Sequence, residues 1–122
     1  MQPVDFTVNR LYLYSMSNKQ TQAMNKETKR DYYSNGRLQK ESNFENGKLH
    51  GIQREWYKSG QLSVEENWEN GEPHGLQRRY HLNGQLQSES NYENGKLHGL
   101  YRGWYKSGML KWESYFVYGE LV

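Results

Sequence analysis

One stretch of this chain occurs three times at a fixed spacing of 24 residues. Residues 46–57 read NGKLHGIQREWY, residues 70–81 read NGEPHGLQRRYH, and residues 94–105 read NGKLHGLYRGWY. Such self-similarity indicates stacked copies of one supersecondary unit, in which each copy is stabilised by its neighbours. We therefore predict a repeat array over residues 27–122. Residues 1–26 precede it, with an N-terminal capping strand or hairpin over residues 4–14 and a polar connector or an eroded unit over residues 15–26.

Glycine-containing turn signals divide every copy into two short segments. Asn46-Gly47 marks the first turn of a unit and Ser59-Gly60 marks the second. Such dipeptides favour two-residue type I′ turns, because both central residues need a positive φ. Glycine at such short intervals excludes helices. The sequence therefore predicts an all-β fold, an elongated single-layer antiparallel meander of β-hairpins closed at its start by a capping strand or hairpin.

The register of the hairpins follows from the turn length. With a two-residue first turn, Phe44 faces Leu49 and Asn43 faces His50. With a two-residue second turn, four pairs of opposite charge face each other: Arg30 and Glu41, Arg54 and Glu65, Arg78 and Glu89, and Arg102 and Glu113. Directly opposed pairs of this kind contribute about 0.2–1 kcal/mol each. A longer first loop through the KLHG segment is an alternative that would shift the first set of pairs.

This register separates the side chains into two faces that both carry aromatic rings. One face is predicted to hold Leu38, Phe44, Leu49 and Tyr57 with their equivalents in later units. The other is predicted to hold Glu41, Ile52, Arg54 and Trp56 with theirs. Neither face is continuously apolar, which agrees with a hydrophobic fraction of 34% beside an aromatic fraction of 15%. We expect a thin sheet with little central core.

The repeated pattern Tyr-x-Asn/Ser-Gly followed by Glu-Asn-Gly-Lys-x-His-Gly resembles the MORN repeat variant family over residues 27–121. The resemblance implies an elongated β-meander without catalytic activity. Bacterial members of that family are often described as antitoxin-like, and related MORN repeats are described as protein scaffolds or phospholipid binders. The chain departs from the usual unit at Pro73, which replaces a leucine, and at His81, which replaces a tyrosine. Its last copy lacks the His-Gly pair.

The histidines and glutamates of the repeat could suggest metal or acid–base chemistry. His50, His74 and His98 lie one repeat apart, which is about 9.5 Å for two strands, whereas a zinc ion needs ligands at about 2.0–2.1 Å. We expect each histidine to bond to asparagine or to the backbone. Each glutamate of the opposed pairs faces an arginine, which favours the charged carboxylate and makes a poor general acid. We therefore predict no catalytic residues, no metal, no cofactor and no enzymatic activity.

The charge balance bears on partners and location. A net charge of +2, from 16 basic and 14 acidic residues, argues against binding to the phosphate backbone of nucleic acid. The chain has no cysteine, which excludes a disulfide framework and a thiolate metal site. Asp5 and Arg10 interrupt the first apolar stretch, which is unlike a signal peptide. We expect a cytoplasmic protein.

The remaining signal is a row of aromatic and arginine side chains on one predicted face. Such residues are enriched in protein interfaces and their hot spots. We predict that an aromatic–arginine stripe binds a partner protein, with Trp56, Tyr80 and Trp104 flanked by Arg54, Arg78 and Arg102. With the family resemblance, this suggests an antitoxin or immunity-type protein that occludes a cognate toxin or effector. The alternatives are a phospholipid-binding module at a membrane surface and a scaffold that self-assembles through its sheet edges. The oligomeric state is left open.

Overall fold

The computed structural model describes the backbone of residues 4–15 and 21–122, and the side chains from residue 25 onward. The described residues contain no helix, and therefore none that could cross a membrane. The strands are β1 (Val4–Ser15), β2 (Thr21–Tyr32), β3 (Leu38–Glu45), β4 (Lys48–Leu49), β5 (Gly51–Trp56), β6 (Leu62–Glu69), β7 (Glu72–Tyr80), β8 (Leu86–Glu93), β9 (Lys96–Leu97), β10 (Gly99–Trp104), β11 (Leu110–Val117) and β12 (Glu120–Leu121).

All these strands belong to one antiparallel sheet whose spatial order follows the chain order. The order is β1-β2-β3-β5-β6-β7-β8-β10-β11-β12, while the short strands β4 and β9 pair with β3 and β8. Each strand lies beside the next one along the chain because short turns join antiparallel neighbours. The predicted all-β meander of repeated hairpins is confirmed.

An N-terminal hairpin forms the first end of the sheet, as predicted. β1 pairs with β2 from Val4 opposite Asp31 to Ser15 opposite Thr21. β2 then pairs with β3, so it crosses the boundary predicted between residues 26 and 27. Residues 16–20 of the predicted connector lie outside the described residues, and the rest of the connector from Thr21 belongs to β2.

The first turn of each unit has the predicted two-residue form. Asn46 has a φ of 51° and Gly47 a φ of 80°, and the Asn70-Gly71 and Asn94-Gly95 turns repeat these values within a few degrees. Beside this turn Phe44 lies opposite Leu49, as predicted. The φ values match a type I′ turn, because both central residues are left-handed.

The second turn of each unit differs from the prediction. Tyr57 accepts a hydrogen bond from Gly60 N at 2.9 Å and donates one from its own N–H to Gln61 O at 2.9 Å. The loop therefore has three residues, and only its glycine, with a φ of 95°, is left-handed. This is the form in which a type I turn precedes a bulged glycine. The prediction of a two-residue turn is wrong at this position in every unit.

A β-bulge beside the three-residue loop restores the predicted charge pairing. The register shifts between Glu55 and Trp56, and Arg54 still lies opposite Glu65. Leu62, which a two-residue turn would place opposite Tyr57, lies opposite Trp56 instead. The predicted grouping of Leu38 and its equivalents with Tyr57 is therefore wrong, whereas all four Arg–Glu pairs are confirmed.

A second irregularity follows the first turn, at the His-Gly step. Asn43 O accepts a hydrogen bond from His50 N at 3.0 Å, yet the next direct strand pair is Glu41 with Arg54. The later strand thus has two extra residues here, and Gly51 turns the chain with a φ of 92°. The pairs next to the turn agree with the two-residue register, and the shift occurs beyond His50.

Buried glutamine side chains occupy the space that this irregularity opens. Gln53 Oε1 accepts from Asn43 N at 2.7 Å, and Gln53 Nε2 donates to Asn43 O at 3.0 Å. Gln77 makes the same two bonds to Asn67, at 3.2 and 2.7 Å. The amide thus replaces the missing strand backbone, which satisfies polar groups that would otherwise be costly inside a sheet.

Apolar burial contributes little to this sheet, as the composition suggested. Among residues with described side chains, Val64 is the buried hydrophobic residue, while Ser42, Gln53 and Gln77 are buried polar ones. The fold therefore depends on hydrogen bonds and contacts between neighbouring strands, as in other linear repeat proteins.

Candidate binding surface

A single row of alternating charges crosses one face of the sheet. The predicted Arg–Glu pairs lie within hairpins, and each hairpin is connected to the next by a further pair of opposed residues. These further pairs are Glu41 with Arg54, Glu65 with Arg78, and Glu89 with Arg102. We call the complete set the charged row: Arg30, Glu41, Arg54, Glu65, Arg78, Glu89, Arg102 and Glu113. Its seven steps span about 34 Å at about 4.8 Å per strand.

The charged row is closely hydrogen-bonded inside the sheet. Arginine Nε lies 2.9 Å from glutamate Oε2 in the Arg30–Glu41 pair and 2.8 Å in the Arg78–Glu89 pair. Burial by itself would raise the pKa of the Glu89 carboxyl, but hydrogen bonds from Arg78 and Arg102 outweigh it and hold this pKa below its usual value. The hydrogen bond to Glu89 also raises the pKa of Arg78. The Glu89 carboxylate is therefore held charged as a structural partner of both arginines.

The repeated histidines connect each unit to the next. His50 Nδ1 accepts a hydrogen bond from Asn70 N at 3.2 Å, and His50 Nε2 lies 3.5 Å from Glu45 Oε2. His74 and His98 make the equivalent contacts. Both ring nitrogens therefore face protein groups, and the prediction that these histidines bond to the backbone is confirmed.

The predicted aromatic–arginine stripe occupies equivalent positions in successive repeats. Trp56, Tyr80 and Trp104 are half-buried. Their carbonyl oxygens accept hydrogen bonds from the preceding repeat: Tyr33 Oη at 2.5 Å, Tyr57 Oη at 2.6 Å and His81 Nε2 at 2.9 Å. His81 thus keeps the contact of the tyrosine it replaces.

Within the stripe, the structure brings one arginine onto one ring. The Arg102 guanidinium carbon lies 5.5 Å from the Trp104 ring centroid, which is cation–π distance. As a partner-binding site the stripe stays a prediction.

The last full repeat departs from the others at three neighbouring positions. Tyr101 stands where Gln53 and Gln77 stand in the earlier repeats. Gly103 stands where they have Glu55 and Arg79, and Trp112 stands where they have Val64 and Ser88. The rings of Tyr101 and Trp112 meet edge to face, with centroids 4.5 Å apart. A Cβ atom at residue 103 would lie 2.4 Å from Trp112 Cε2, so only glycine leaves room for this indole.

A groove of about 800 Å³ lies beside this aromatic pair. Its aromatic and apolar lining comes from Tyr101, Trp104, Tyr105, Met109 and Trp112. Three of these are exposed: Tyr105 by 50%, Met109 by 68% and Trp112 by 38%. We call this feature the C-terminal groove. Exposed apolar surface of this kind marks interaction sites more often than scattered single residues do.

The C-terminal groove is also basic. Arg79, Lys106 and Lys111 line it together with His81, and none of its described lining residues is acidic. The Lys111 ammonium lies 5.4 Å from the Tyr105 ring centroid. The groove therefore combines apolar contact area with the positive charges of Lys106 and Lys111, whereas Arg79 also lies 3.9 Å from Glu66 Oε2.

The predicted stripe and the C-terminal groove share one residue. Trp104 lies beside Arg102 and also lines the groove, whereas Trp56 and Tyr80 lie in earlier repeats and do not line it. Sequence reasoning missed Tyr101, Tyr105, Met109 and Trp112. The departures at residues 101, 103 and 112 from their sister copies were the signal that could have found them.

A protein-family model described as MORN repeat variant matches residues 28–46, 49–70 and 73–96. The matched segments cover more than half of the chain and contain the charged row from Arg30 to Glu89, whereas Arg102 and Glu113 lie beyond them. Comparisons with curated proteins and with solved structures gave no match.

Proposed function

The chain belongs to the MORN repeat variant family, whose repeats serve as protein- or membrane-binding modules, and we propose that it binds a partner protein through its last repeat. The observation that carries this proposal is the C-terminal groove. Repeated polar residues have partners inside the sheet, whereas Tyr105, Met109 and Trp112 present their side chains to solvent.

The groove favours a partner segment that is both acidic and apolar. Lys106 and Lys111 supply positive charge, and none of the described residues that line the groove is acidic. Tyrosine and tryptophan supply large contact areas at low cost in side-chain entropy. A segment with carboxylates beside large apolar side chains matches both properties.

The more specific proposal is an antitoxin or immunity-type role. The rigid sheet would occlude the active cleft of a cognate toxin or effector in the cytoplasm. The resemblance of the repeats to antitoxin-like bacterial proteins supports this role, as does the non-enzymatic character of the family. In this proposal Trp104 is the central contact, and the stripe continues it with Trp56 and Tyr80 beside Arg54, Arg78 and Arg102.

The test is capture of the partner from the native source, followed by reconstitution with the purified partner. We expect Trp104→Ala to weaken binding by at least about 30-fold, because truncating a central tryptophan costs about 2 kcal/mol or more. Leu82→Ala is the matched control, since Leu82 is 61% exposed and lies outside the groove.

Two measurements decide the outcome of this test. A folded Trp104→Ala protein that binds as tightly as the wild type would refute this surface. A complex in which the partner keeps its full activity would refute occlusion.

A membrane surface is the second candidate, because the groove places Lys106 and Lys111 beside Trp104 and Tyr105. Aromatic rings favour the membrane interface, and basic residues favour anionic headgroups. Co-sedimentation with phosphatidylcholine vesicles, with and without phosphatidylserine, tests this function. Binding that requires phosphatidylserine and is lost in Lys106→Glu would support a membrane-binding function. Equal recovery of the protein in the supernatant with both kinds of vesicle would exclude it.

A further inference from the structure

The charged row ends at a strand whose outer edge is largely unpaired. β11 pairs with β10 along its inner edge. On its outer edge it pairs with β12 only at Phe116 and Val117, followed by one bond from Val122 N to Tyr115 O at 2.9 Å. Among the described residues, no strand covers the outer edge from Leu110 to Ser114. Such an edge can accept an added strand.

The backbone of Glu113 faces outward at this edge. Tyr115 O points outward, because it accepts the bond from Val122. Backbone groups of an antiparallel strand alternate in direction with a period of two residues. Glu113 N–H and C=O therefore point in the same direction as those of Tyr115, away from β10.

The side chain of Glu113 is also incompletely paired compared with the other glutamates of the charged row. Glu89 accepts from Arg78 at 2.8 Å and from Arg102 at 3.2 Å, and its side chain is 16% exposed. Glu113 has an arginine on one side only, at 3.9 Å, and its side chain is 46% exposed. Arg102 Nε, which is buried, has no hydrogen-bond partner among the described residues. The last step of the row is thus looser than the inner steps.

We propose that an extended segment of the partner protein adds to the outer edge of β11 and places an arginine opposite Glu113. This inference rests on the proposed function and names how the partner docks. The inner strands give the template, since Arg78 lies opposite Glu65 and Arg102 lies opposite Glu89. Main-chain hydrogen bonds supply the affinity of such strand addition, and alternate side chains supply the specificity.

Strand alternation gives the docked segment two different faces. Its arginine lies on the face of the charged row. Its two flanking residues lie opposite Trp112 and Ser114, on the face that carries the Tyr101–Trp112 pair. A strand with a basic residue between apolar or acidic neighbours therefore satisfies both the edge and the groove.

The chain itself supplies a defined probe for this site. A capped peptide with the sequence of residues 99–104, GLYRGW, reproduces the strand that pairs with β8 and carries its arginine between tyrosine and glycine. We expect millimolar peptide to shift the backbone amide resonances of residues 110–114 in proton–nitrogen NMR spectra. A peptide with glutamate in place of Arg102 should bind about threefold to tenfold more weakly. The variant Glu113→Arg should reverse this preference, and Glu113→Gln should reduce it.

Several results would overturn the proposal. Unchanged amide resonances of residues 110–114 at millimolar peptide exclude strand addition, and equal affinity for both peptides excludes the arginine. Dimers of the wild type that Glu113→Arg abolishes would assign the edge to a second copy of the chain. With the purified partner, binding that is weakened by Trp104→Ala and unaffected by Glu113→Arg would leave the proposed function standing and exclude this edge.

Discussion

The buried glutamine of the second repeat offers the sharpest test of how this sheet is held together. Gln77 is 8% exposed, and its amide bonds to both backbone groups of Asn67, at 3.2 and 2.7 Å. The change Gln77→Leu keeps most of the side-chain volume and removes both hydrogen bonds to Asn67, together with a longer one from Gln77 Nε2 to Gly75 O at 3.3 Å. Asn67 N–H and C=O then lose the partner that replaces strand pairing at the bulge.

The size of the effect follows from these two bonds. A hydrogen bond contributes about 1 kcal/mol net to stability, and more when its loss leaves a buried backbone group unsatisfied. Two bonds give an expected loss of about 2 kcal/mol in the free energy of unfolding. Packing adds little, because leucine is close to glutamine in size.

Urea unfolding monitored by tryptophan fluorescence measures this loss, and hydrogen exchange of the Asn67 amide locates it. The matched control is Gln39→Leu, because Gln39 is exposed on β3 and such surface changes stay within about 0.5 kcal/mol. If Gln77→Leu destabilised the protein no more than Gln39→Leu does, the amide would not act as a substitute for strand backbone.

Three further predictions concern the other repeated contacts and the last repeat. We expect His50→Leu to lower the free energy of unfolding by about 1 kcal/mol in urea titrations, and His50→Asn to lower it less, because an amide oxygen can still accept the bond from Asn70 N–H. Because the pKa of Glu89 is lowered in the fold, its contribution to stability is present above the usual value of 4.5 and is lost as pH falls below it; Glu89→Gln should cost about 1–2 kcal/mol at neutral pH and flatten the acid side of a stability–pH profile. Gly103→Ala should destabilise by about 1–3 kcal/mol through overpacking, and thermal unfolding should show almost no such loss in a Trp112→Val background, where the ring that lies 2.4 Å from the new Cβ is gone.

The repeat predicted the sheet but could not distinguish its two kinds of turn. Asn35-Gly36 and Asn46-Gly47 are the same dipeptide, yet Asn46 has a φ of 51° whereas Asn35 is not left-handed. The side chain of Asn35 donates instead to Lys58 O of the next repeat at 3.1 Å. Local propensity permits both turns. In the three-residue loops a local bond is also present, because Asn35 Oδ1 accepts from Arg37 N at 2.9 Å and Ser59 Oγ accepts from Gln61 N at 3.3 Å.

The pairs of the charged row were predictable within a hairpin and not between hairpins. Arg54 and Glu65 are related by one short turn, so their spacing fixes their register. Glu41 and Arg54 are separated by the irregularity at Gly51, whose two extra residues no turn rule supplies. Only the structure shows that the row is continuous, and therefore that it ends at an incompletely paired Glu113.

In the last repeat an aromatic pair stands in place of the glutamine–backbone hydrogen bonds of the earlier repeats. Tyr101 cannot supply the amide that Gln53 and Gln77 give to the backbone of the neighbouring strand. Gly103 in turn brings the conformational freedom that weakens a strand interior. Sequences that specify one fold break their local rules mainly at functional sites. These departures coincide with the C-terminal groove and the open edge of β11, which is why we place partner binding at this end of the sheet.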